Sequence, residues 1–455
     1  MELPPLPLDR TRPLAVQLAD GLRAAAVGGA LRAGDRLPST RELATILAVS
    51  RTVTAAAYDQ LLAEGWVEGR VGAGTFVRGI PPHVTGPGPG GGGGGGVSAP
   101  SDSGVRIDLR PGVPCTEVLD RAAWRRAWRA AADAEPDLLP SYAGLPEYCA
   151  VVAEHLLRHR GLVTSDVLAT GGSTGGLAEV ARLLAGHGRE RGAERAGRVA
   201  VEHPGYQRAI SAFAAAGLET VPVPVDEHGL RVDLVPDGVT AVYCTPAHQF
   251  PLGARLPADR RIALVERARA EGFLVLEDDY DGELRYDVAP LPLLAALGPD
   301  VVVHLGTVSK ILTPTLGAGW LVAPPAVRTA LLTERERTGT RPGAAGQRVL
   351  TAFAGAGDLA RHLRRLRREL GERRALVVAA LAPVLGDRAG AHVLVPLESA
   401  ARAREVQSRA AEQGIGLDVL ERHGSGEGGI VVGYAGPTRA ELESALPGVA
   451  ELCGR

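Results

Sequence analysis

Of the 50 lysine and arginine residues in this 455-residue chain, one is a lysine, Lys310. Asparagine is absent and methionine occurs once. This usage reads as mutational pressure that replaces lysine by arginine wherever a generic cation suffices. A lysine kept against that pressure either survived by chance or sits where arginine cannot substitute, because a lysine amine can be deprotonated when desolvated and can form a Schiff base. The four cysteines (Cys115, Cys149, Cys244, Cys453) lie far apart with no C-x-x-C pair. That excludes a disulfide framework and a cysteine zinc module. No uncharged apolar run approaches the ~18 residues of a membrane span, and the N-terminus lacks a charged-then-apolar leader pattern. A cytoplasmic protein with no membrane partner is expected. The net charge of −2 gives no bulk attraction to nucleic acid, so any such binding must be local.

Residues 81–104 (PPHVTGPGPGGGGGGGVSAPSDSG) cannot form a core and read as a linker. They separate a module at 10–80 from an α/β domain at 105–455. In the module, residues 14–27 carry apolar positions at helical spacing and stop at Gly28-Gly29. Ser39 with Glu42 forms a capping-box pattern that starts a helix. Ala48-Val49 make a tight connection, and Ser50 is the N-cap of a second helix with Val53, Ala57 and Leu61 inward. Arg51, Thr52 and Thr54 are left largely outward near its start. Two short β-type runs, Trp66–Glu68 and Thr75–Val77, follow as a hairpin with a glycine-rich tip at Gly72-Ala73-Gly74. This describes a helix-turn-helix with a wing. Polar groups at the start of the second helix stand where base edges would be met.

GDRLPSTRELA followed by VSRTVTAAAYDQLLAEGWVEGRVGAGTFV resembles the GntR-type winged helix-turn-helix over residues 12–78. The resemblance implies DNA contacts by Arg41, Ser50, Arg51, Thr52 and Gly72. Arg36, Ser39, Thr40, Thr54, Gly74 and Thr75 complete the candidate DNA-binding set. The family often has a basic residue four positions after Arg51; here it is Ala55.

From residue 105 helical segments alternate with short apolar runs: VAVE (199–202), TVPVPV (220–225), AVYCTP (241–246), LVLEDD (274–279), VVVHLGT (301–307) and GWLVAP (319–324). This is the pattern of a mostly parallel sheet, whose ligands bind at the carboxyl ends of the strands. Lys310 lies just past one such end. Asp278 and Tyr280, two apart, lie at another and face the same way. A lysine amine, a carboxylate and a phenol suit pyridoxal phosphate: imine to the aldehyde, partner for the ring nitrogen, and hydrogen bond to the ring oxygen. Gly171-Gly172-Ser173-Thr174-Gly175 precedes a helix beginning near Leu177, where amides and hydroxyls could hold a phosphate. His155 and His159, one turn apart, read as surface or interface histidines, and no metal site is expected. RHLRRLRRELGERR (361–374) reads as a solvated or dimer-facing helix more than an auxiliary DNA surface.

The order of these features resembles the fold-type I aminotransferases. In detail it resembles the MocR-type regulators, which join a GntR-type module to an aminotransferase-like domain. The matching strings are GLPE (144–147), VEHPGY (201–206), VPVPVDEHGLRVD (221–233), YCTPAHQFPLG (243–253), LEDDYDGELRY (276–286), LGTVSK (305–310) and VVGYAG (431–436). The resemblance implies Lys310 as Schiff-base lysine and Asp278 as ring-nitrogen partner, with Asp279 the runner-up. It places Tyr280 at the ring oxygen, Tyr206 stacked on the ring, and Ser173, Thr174, Thr307 and Ser309 near the phosphate. Arg208 is the candidate for an effector carboxylate. Three positions depart from the pattern. Gly317 replaces the phosphate-binding arginine seven residues after the lysine, no tyrosine stands five before Gly144, and Ile430 and Val431 occupy the carboxylate-arginine neighbourhood. The expectation is a homodimeric transcriptional regulator that binds operator DNA and senses pyridoxal phosphate or an amino acid or amine through it, with at most residual transaminase activity. An aminotransferase and a decayed sensor without cofactor are the alternatives.

Overall fold

The computed structural model describes residues 8–9, 13–63, 66–70, 74–78, 104–139, 141–190, 197–286 and 292–455. Gly72 and all of the linker except Gly104 lie outside this set. The chain divides into two compact units, Met1–Ser101 and Asp102–Arg455.

In the first unit, α1 (Leu14–Val27), α2 (Thr40–Ile46) and α3 (Arg51–Ala63) precede the antiparallel hairpin β1 (Val67–Arg70) and β2 (Gly74–Val77). Leu18, Leu22, Leu43, Ala57, Tyr58, Leu61 and Trp66 form its core. The capping box at the head of α2 is present: Ser39 Oγ accepts from the Glu42 amide, and the Glu42 carboxylate accepts from the Ser39 amide at 2.8 Å. The α2–α3 turn is closed by Ala48, which adopts φ 54°, a left-handed conformation uncommon for a residue with a side chain.

In the second unit, β3 (Ile107–Asp108), α4 (Arg121–Ala132) and α5 (Pro146–Arg160) lead into an α/β domain. Its elements are β4 (Leu168–Thr170), α6 (Ser173–Glu190), β5 (Arg198–His203), α7 (Gln207–Ala215), β6 (Glu219–Asp226), β7 (Gly229–Leu230), β8 (Ala241–Cys244), α8 (Ala258–Glu271), β9 (Leu274–Asp279), α9 (Leu294–Leu297), β10 (Val302–Thr307) and β11 (Gly319–Val322). They build a sheet of order β4-β11-β10-β9-β8-β5-β6-β7. Its centre, β10-β9-β8-β5-β6, is parallel, as the alternation of helices and apolar runs predicts. The run at 319–324 departs from that pattern: β11 is antiparallel to both β10 and β4. The connection from β10, residues 308–318, holds only a 3-10 turn at Pro314–Leu316 and no crossover helix, so the chain returns antiparallel. After α10 (Pro325–Thr338), α11 (Ala344–Gly355) and α12 (Asp358–Leu381), a second layer forms from β12 (His392–Pro396), α13 (Ala400–Glu412), β13 (Ile415–Gly416), β14 (Asp418–Val419), β15 (Gly429–Gly433) and α14 (Arg439–Leu452). Among the described residues no helix is long and apolar enough to cross a membrane.

The basic helix predicted at 361–374 lies within α12 and is not simply solvated. His362 and Arg373 are fully buried, and Arg373 donates to the Tyr434 and Ala435 carbonyls and pairs with Glu369. The α6 helix begins at Ser173, four residues earlier than the expected start near Leu177. Gly172, Ser173 and Thr174 therefore belong to the helix N-terminus itself.

Candidate functional site

In the first unit, Arg41 on α2 and Arg51 at the start of α3 are exposed, and among the described residues neither makes an ion pair. Thr52 is exposed beside Arg51, and Ser50 stands just ahead of it, its carbonyl accepting from the Val53 amide. Arg36 bridges to Phe76 of the hairpin. Gly74 (φ 113°) lets the chain pass beside the Arg36 guanidinium, because a Cβ there would stand 3.1 Å from its Nε. Ser39 is exposed but occupied by its capping box, and Thr40 and Thr75 are half-buried. Thr54 does not face outward as expected. It is fully buried, and its hydroxyl donates to the Thr40 carbonyl at 2.8 Å and the Arg51 carbonyl at 3.0 Å. It ties α3 to the head of α2 and is unavailable to a ligand.

In the second unit the chain gathers five acidic side chains, Glu277, Asp278, Asp279, Asp281 and Glu283, each at most 2 % exposed, at the end of β9 and just beyond. A buried carboxylate is costly unless paired. Glu277 accepts from the Leu294 and Ala295 amides at the head of α9 and lies 3.4 Å from His304 Nδ1. Asp279 pairs with Arg160 at 2.8 Å, Asp281 with His248 at 2.9 Å, and Glu283 with His155 at 3.0 Å. Asp278 is the exception. Its Oδ2 accepts from the Tyr243 hydroxyl at 2.8 Å, and among the described residues its Oδ1 accepts no hydrogen bond and no ion pair is made to it, although Ser173 and His304 lie close enough to ease its charge. Burial pushes its carboxyl up to about 6. The two neighbours therefore differ in their partners: Arg160 occupies Asp279, and Asp278 keeps an acceptor free.

Lys310 is half-buried, its Nζ donating to the Gly112 carbonyl at 2.8 Å. Burial lowers its proton affinity. Asp281 and Asp278 attract its charge and Arg208 repels it, so all three lie within electrostatic reach of the amine. Tyr280 donates from its hydroxyl to the His248 carbonyl at 2.9 Å. Tyr206 caps α7, with its ring edge-to-face on Phe250 at 5.9 Å. Phe250 in turn meets Tyr280, His392 and His423. Opposite, Thr307 and Ser309 share a 2.8 Å hydrogen bond. Gly172 lies against them, since a Cβ on it would stand 3.5 Å from the Thr307 hydroxyl. Ser173 is buried and Thr174 exposed on the first turn of α6. Two hydroxyls thus face a helix N-terminus, an arrangement suited to a phosphate.

Several participants escaped the sequence reading. Tyr243 sits inside an apolar strand run, where nothing marks a tyrosine as a site residue. His248, Asp281 and His392 bring ligand atoms within 4.8 Å of one another, all buried. The His248 ring is already engaged by Asp281, with the Tyr280 hydroxyl 3.3 Å away. Glu202 is also buried, receives hydrogen bonds from the Thr245 amide and hydroxyl, and is pushed up to about 7 by burial. His155 is not a surface histidine; it faces inward because Glu283 needs a partner. Gly317 caps a short 3-10 turn with φ 58°, and a Cβ there would meet nothing within 4 Å. Val431, where the family pattern has its arginine neighbourhood, is fully buried against Leu394 and Leu420.

The residues present fit pyridoxal phosphate. The Asp278 Oδ1 lacks a donor of the kind a protonated ring nitrogen supplies, Lys310 lies within its electrostatic reach, and the Thr307 and Ser309 hydroxyls with the head of α6 offer a place for a phosphate. Comparison with known proteins agrees. Residues 14–77 match the family described as bacterial regulatory proteins of the gntR family, and residues 106–447 match aminotransferase class I and II. The chain is 35% identical over 443 residues to the HTH-type pyridoxine biosynthesis transcriptional regulator PdxR of Corynebacterium glutamicum, covering 94% of each chain. It is 32% identical over 463 residues to the "Probable rhizopine catabolism regulatory protein MocR" of Rhizobium meliloti, covering 95% of this chain and 92% of that one. The crystal structure of Pyrococcus horikoshii kynurenine aminotransferase superposes with a TM-score of 0.69 at 24% identity, over 76% of this chain and 90% of that chain, which shows a shared fold. The chain belongs to the MocR-type branch of the GntR transcriptional regulators, a winged helix-turn-helix joined to an aminotransferase class I and II domain.

Proposed function

We propose that this regulator is a cytoplasmic homodimer that binds operator DNA through its winged module and holds pyridoxal phosphate on Lys310 in its large domain. An amino acid or amine that competes for that linkage is the signal. The observation that carries the reading is Asp278, the one member of a buried five-acid cluster left without a basic partner, within electrostatic reach of the chain's single lysine. Arg41, Arg51 and Thr52 are the side chains for phosphate and base contact, with Arg36 and Gly74 at the hairpin.

When bound, the cofactor supplies an electrophilic carbon and an electron-withdrawing ring. The chain's own residues do the rest. Burial lowers the proton affinity of Lys310, which favours Nζ as the nucleophile toward that carbon. Asp278 Oδ1 would hold the proton of the ring nitrogen. Tyr280, anchored on the His248 carbonyl, would orient the ring oxygen. The amides at the head of α6, with Ser173, Thr174, Thr307 and Ser309, would bind phosphate. Tyr206 would cover the ring and exclude water. Arg208, exposed at the head of α7, would meet an effector carboxylate. Sensing is favoured over turnover because Ile430 and Val431 stand where the family pattern has an arginine for a substrate carboxylate, and Val431 is buried among apolar side chains.

Two measurements test this. Borohydride treatment with added pyridoxal phosphate should leave a pyridoxyl adduct on Lys310, lost in Lys310→Ala. Binding to the protein's own upstream DNA should be salt-sensitive and change with cofactor or amine. A wild-type protein that takes no adduct refutes the cofactor assignment.

A further inference from the structure

We propose that Arg160 is a positioning residue for the cofactor site: by occupying Asp279, it leaves Asp278 as the carboxylate that meets the ring nitrogen. The inference rests on the assignment of Lys310 and Asp278 to pyridoxal phosphate and deepens it.

Asp278 and Asp279 are chemically identical neighbours at the end of β9. Successive strand residues point to opposite faces, so the two carboxylates face different surroundings. Asp278 meets Tyr243 and lies within reach of Lys310. The other face is served by α5. Its last residue, Arg160, is 2 % exposed and places Nη2 2.8 Å from Asp279 Oδ1. Five residues earlier on the same helix, His155 holds Glu283 at 3.0 Å. One helix therefore brings two bases to two of the buried acids.

The ion pair depends on a glycine. At Gly282 a Cβ would stand 2.1 Å from Arg160 Nη1 and 2.2 Å from Asp279 Oδ1. Both approaches are impossible for a side-chain carbon, so Gly282 is where the backbone makes room for the guanidinium. The helix is also ended at the right place: Gly161, with φ 67°, caps α5 directly after Arg160.

Without Arg160, Asp279 would be a buried charge without a counterion, one residue from Asp278. Wherever it keeps its charge, its negative field would act on Asp278 and on the cofactor. That field changes the proton held at the ring nitrogen, which a purely structural role for Arg160 would not do.

The test uses the full-length protein and pyridoxal phosphate as probe. It reads the dissociation constant by absorbance, the pH midpoint of the bound cofactor's band, and the thermal midpoint of each variant. Arg160→Met should weaken retention about tenfold to a hundredfold and move the band's midpoint upward, because a positive charge is removed. Gly282→Ala should do the same by forcing the pair apart. The double variant Arg160→Met with Asp279→Leu removes both charges together. It should fold and recover both readings towards wild type, which keeps the proposal testable if Arg160→Met alone fails to fold. A folded double variant that binds no cofactor while Asp278→Asn still does would make Asp279 the ring partner and overturn the proposal. Unchanged affinity and midpoint in folded Arg160→Met would overturn it as well, while leaving the Lys310 adduct intact. Absence of that adduct in the wild type would instead remove the reading beneath both.

Discussion

At the residue scale, Asp278 links stability and function with opposite signs. Its carboxyl, ordinarily near 3.8, is pushed to about 6 by burial in the cofactor-free chain. The folded state therefore binds more protons than the unfolded state between roughly pH 4 and 6. Stability falls as pH rises through that window, and the penalty is fully present at pH 7. At ~1.4 kcal/mol per unit its ceiling is about 3 kcal/mol. Asp278→Asn should thus stabilise the cofactor-free protein at pH 7 by about 1–3 kcal/mol, a gain that vanishes near pH 4, while pyridoxal phosphate retention collapses. Urea unfolding at the two pH values reads the first effect and the borohydride adduct the second. A destabilised Asp278→Asn at pH 7 would show that Oδ1 is satisfied in the folded chain.

Gly317 offers the converse test. The left-handed backbone there disfavours a side chain by ~1–2 kcal/mol, but the space around it is open. The segment runs beside the phosphate cradle: the Val308 amide donates to the Ala318 carbonyl, and Gly319 abuts Gly172. A charge-assisted contact contributes ~1.5–3 kcal/mol. Gly317→Arg should tighten cofactor retention by about one to two orders of magnitude, measured as the dissociation constant. Unchanged affinity would show that the phosphate is already satisfied by hydroxyls and amides.

At the element scale, what could be read in advance was whatever a local pattern dictates. Ser39 and Glu42 announce α2 because a capping box is made by residues three apart. The parallel strands around β9 announce themselves because a buried strand needs an unbroken apolar run. The direction of β11 was not legible, since an apolar run looks the same in either ladder. Nor was the inward turn of His155, whose reason, Glu283, lies far along the chain. Lys310, Asp278 and Tyr280 could be singled out as candidates through their spacing and their resemblance to known regulators; Tyr243 and Arg160 could not, because partners of a buried charge come from other elements. Thr54 shows the same limit. A threonine on the first turn of a recognition helix reads as a DNA contact, yet its hydroxyl holds α2 against α3. Thr54→Val keeps the shape and leaves the Thr40 carbonyl short of a donor. It should cost about 1–2 kcal/mol of the module's stability without altering the salt dependence of DNA binding. A changed slope in a fully folded variant would return Thr54 to the interface.

At the scale of the whole molecule, the two units have separate cores, and the division falls between Ser101 and Asp102. The candidate DNA-binding residues belong to one and Lys310 to the other. The module carries nine arginines against eight acids over residues 1–80, so one copy attracts DNA weakly. A dimer of the large domain would tether two modules and make the second contact intramolecular. Each neutralised phosphate adds about 0.9 to the slope of log affinity against log salt. Two engaged modules should therefore give the full-length protein about twice the slope of a fragment ending at Ser101, together with much tighter binding. The fragment should fold alone, because Leu18, Leu43, Leu61 and Trp66 are buried within it. Its binding should also be indifferent to pyridoxal phosphate and amines, whereas that of the full chain responds. Mobility-shift titrations at several salt concentrations, with and without cofactor, decide the point. Equal slopes for fragment and full chain would mean that one module binds at a time, and the large domain would then have to signal by some route other than pairing half-sites.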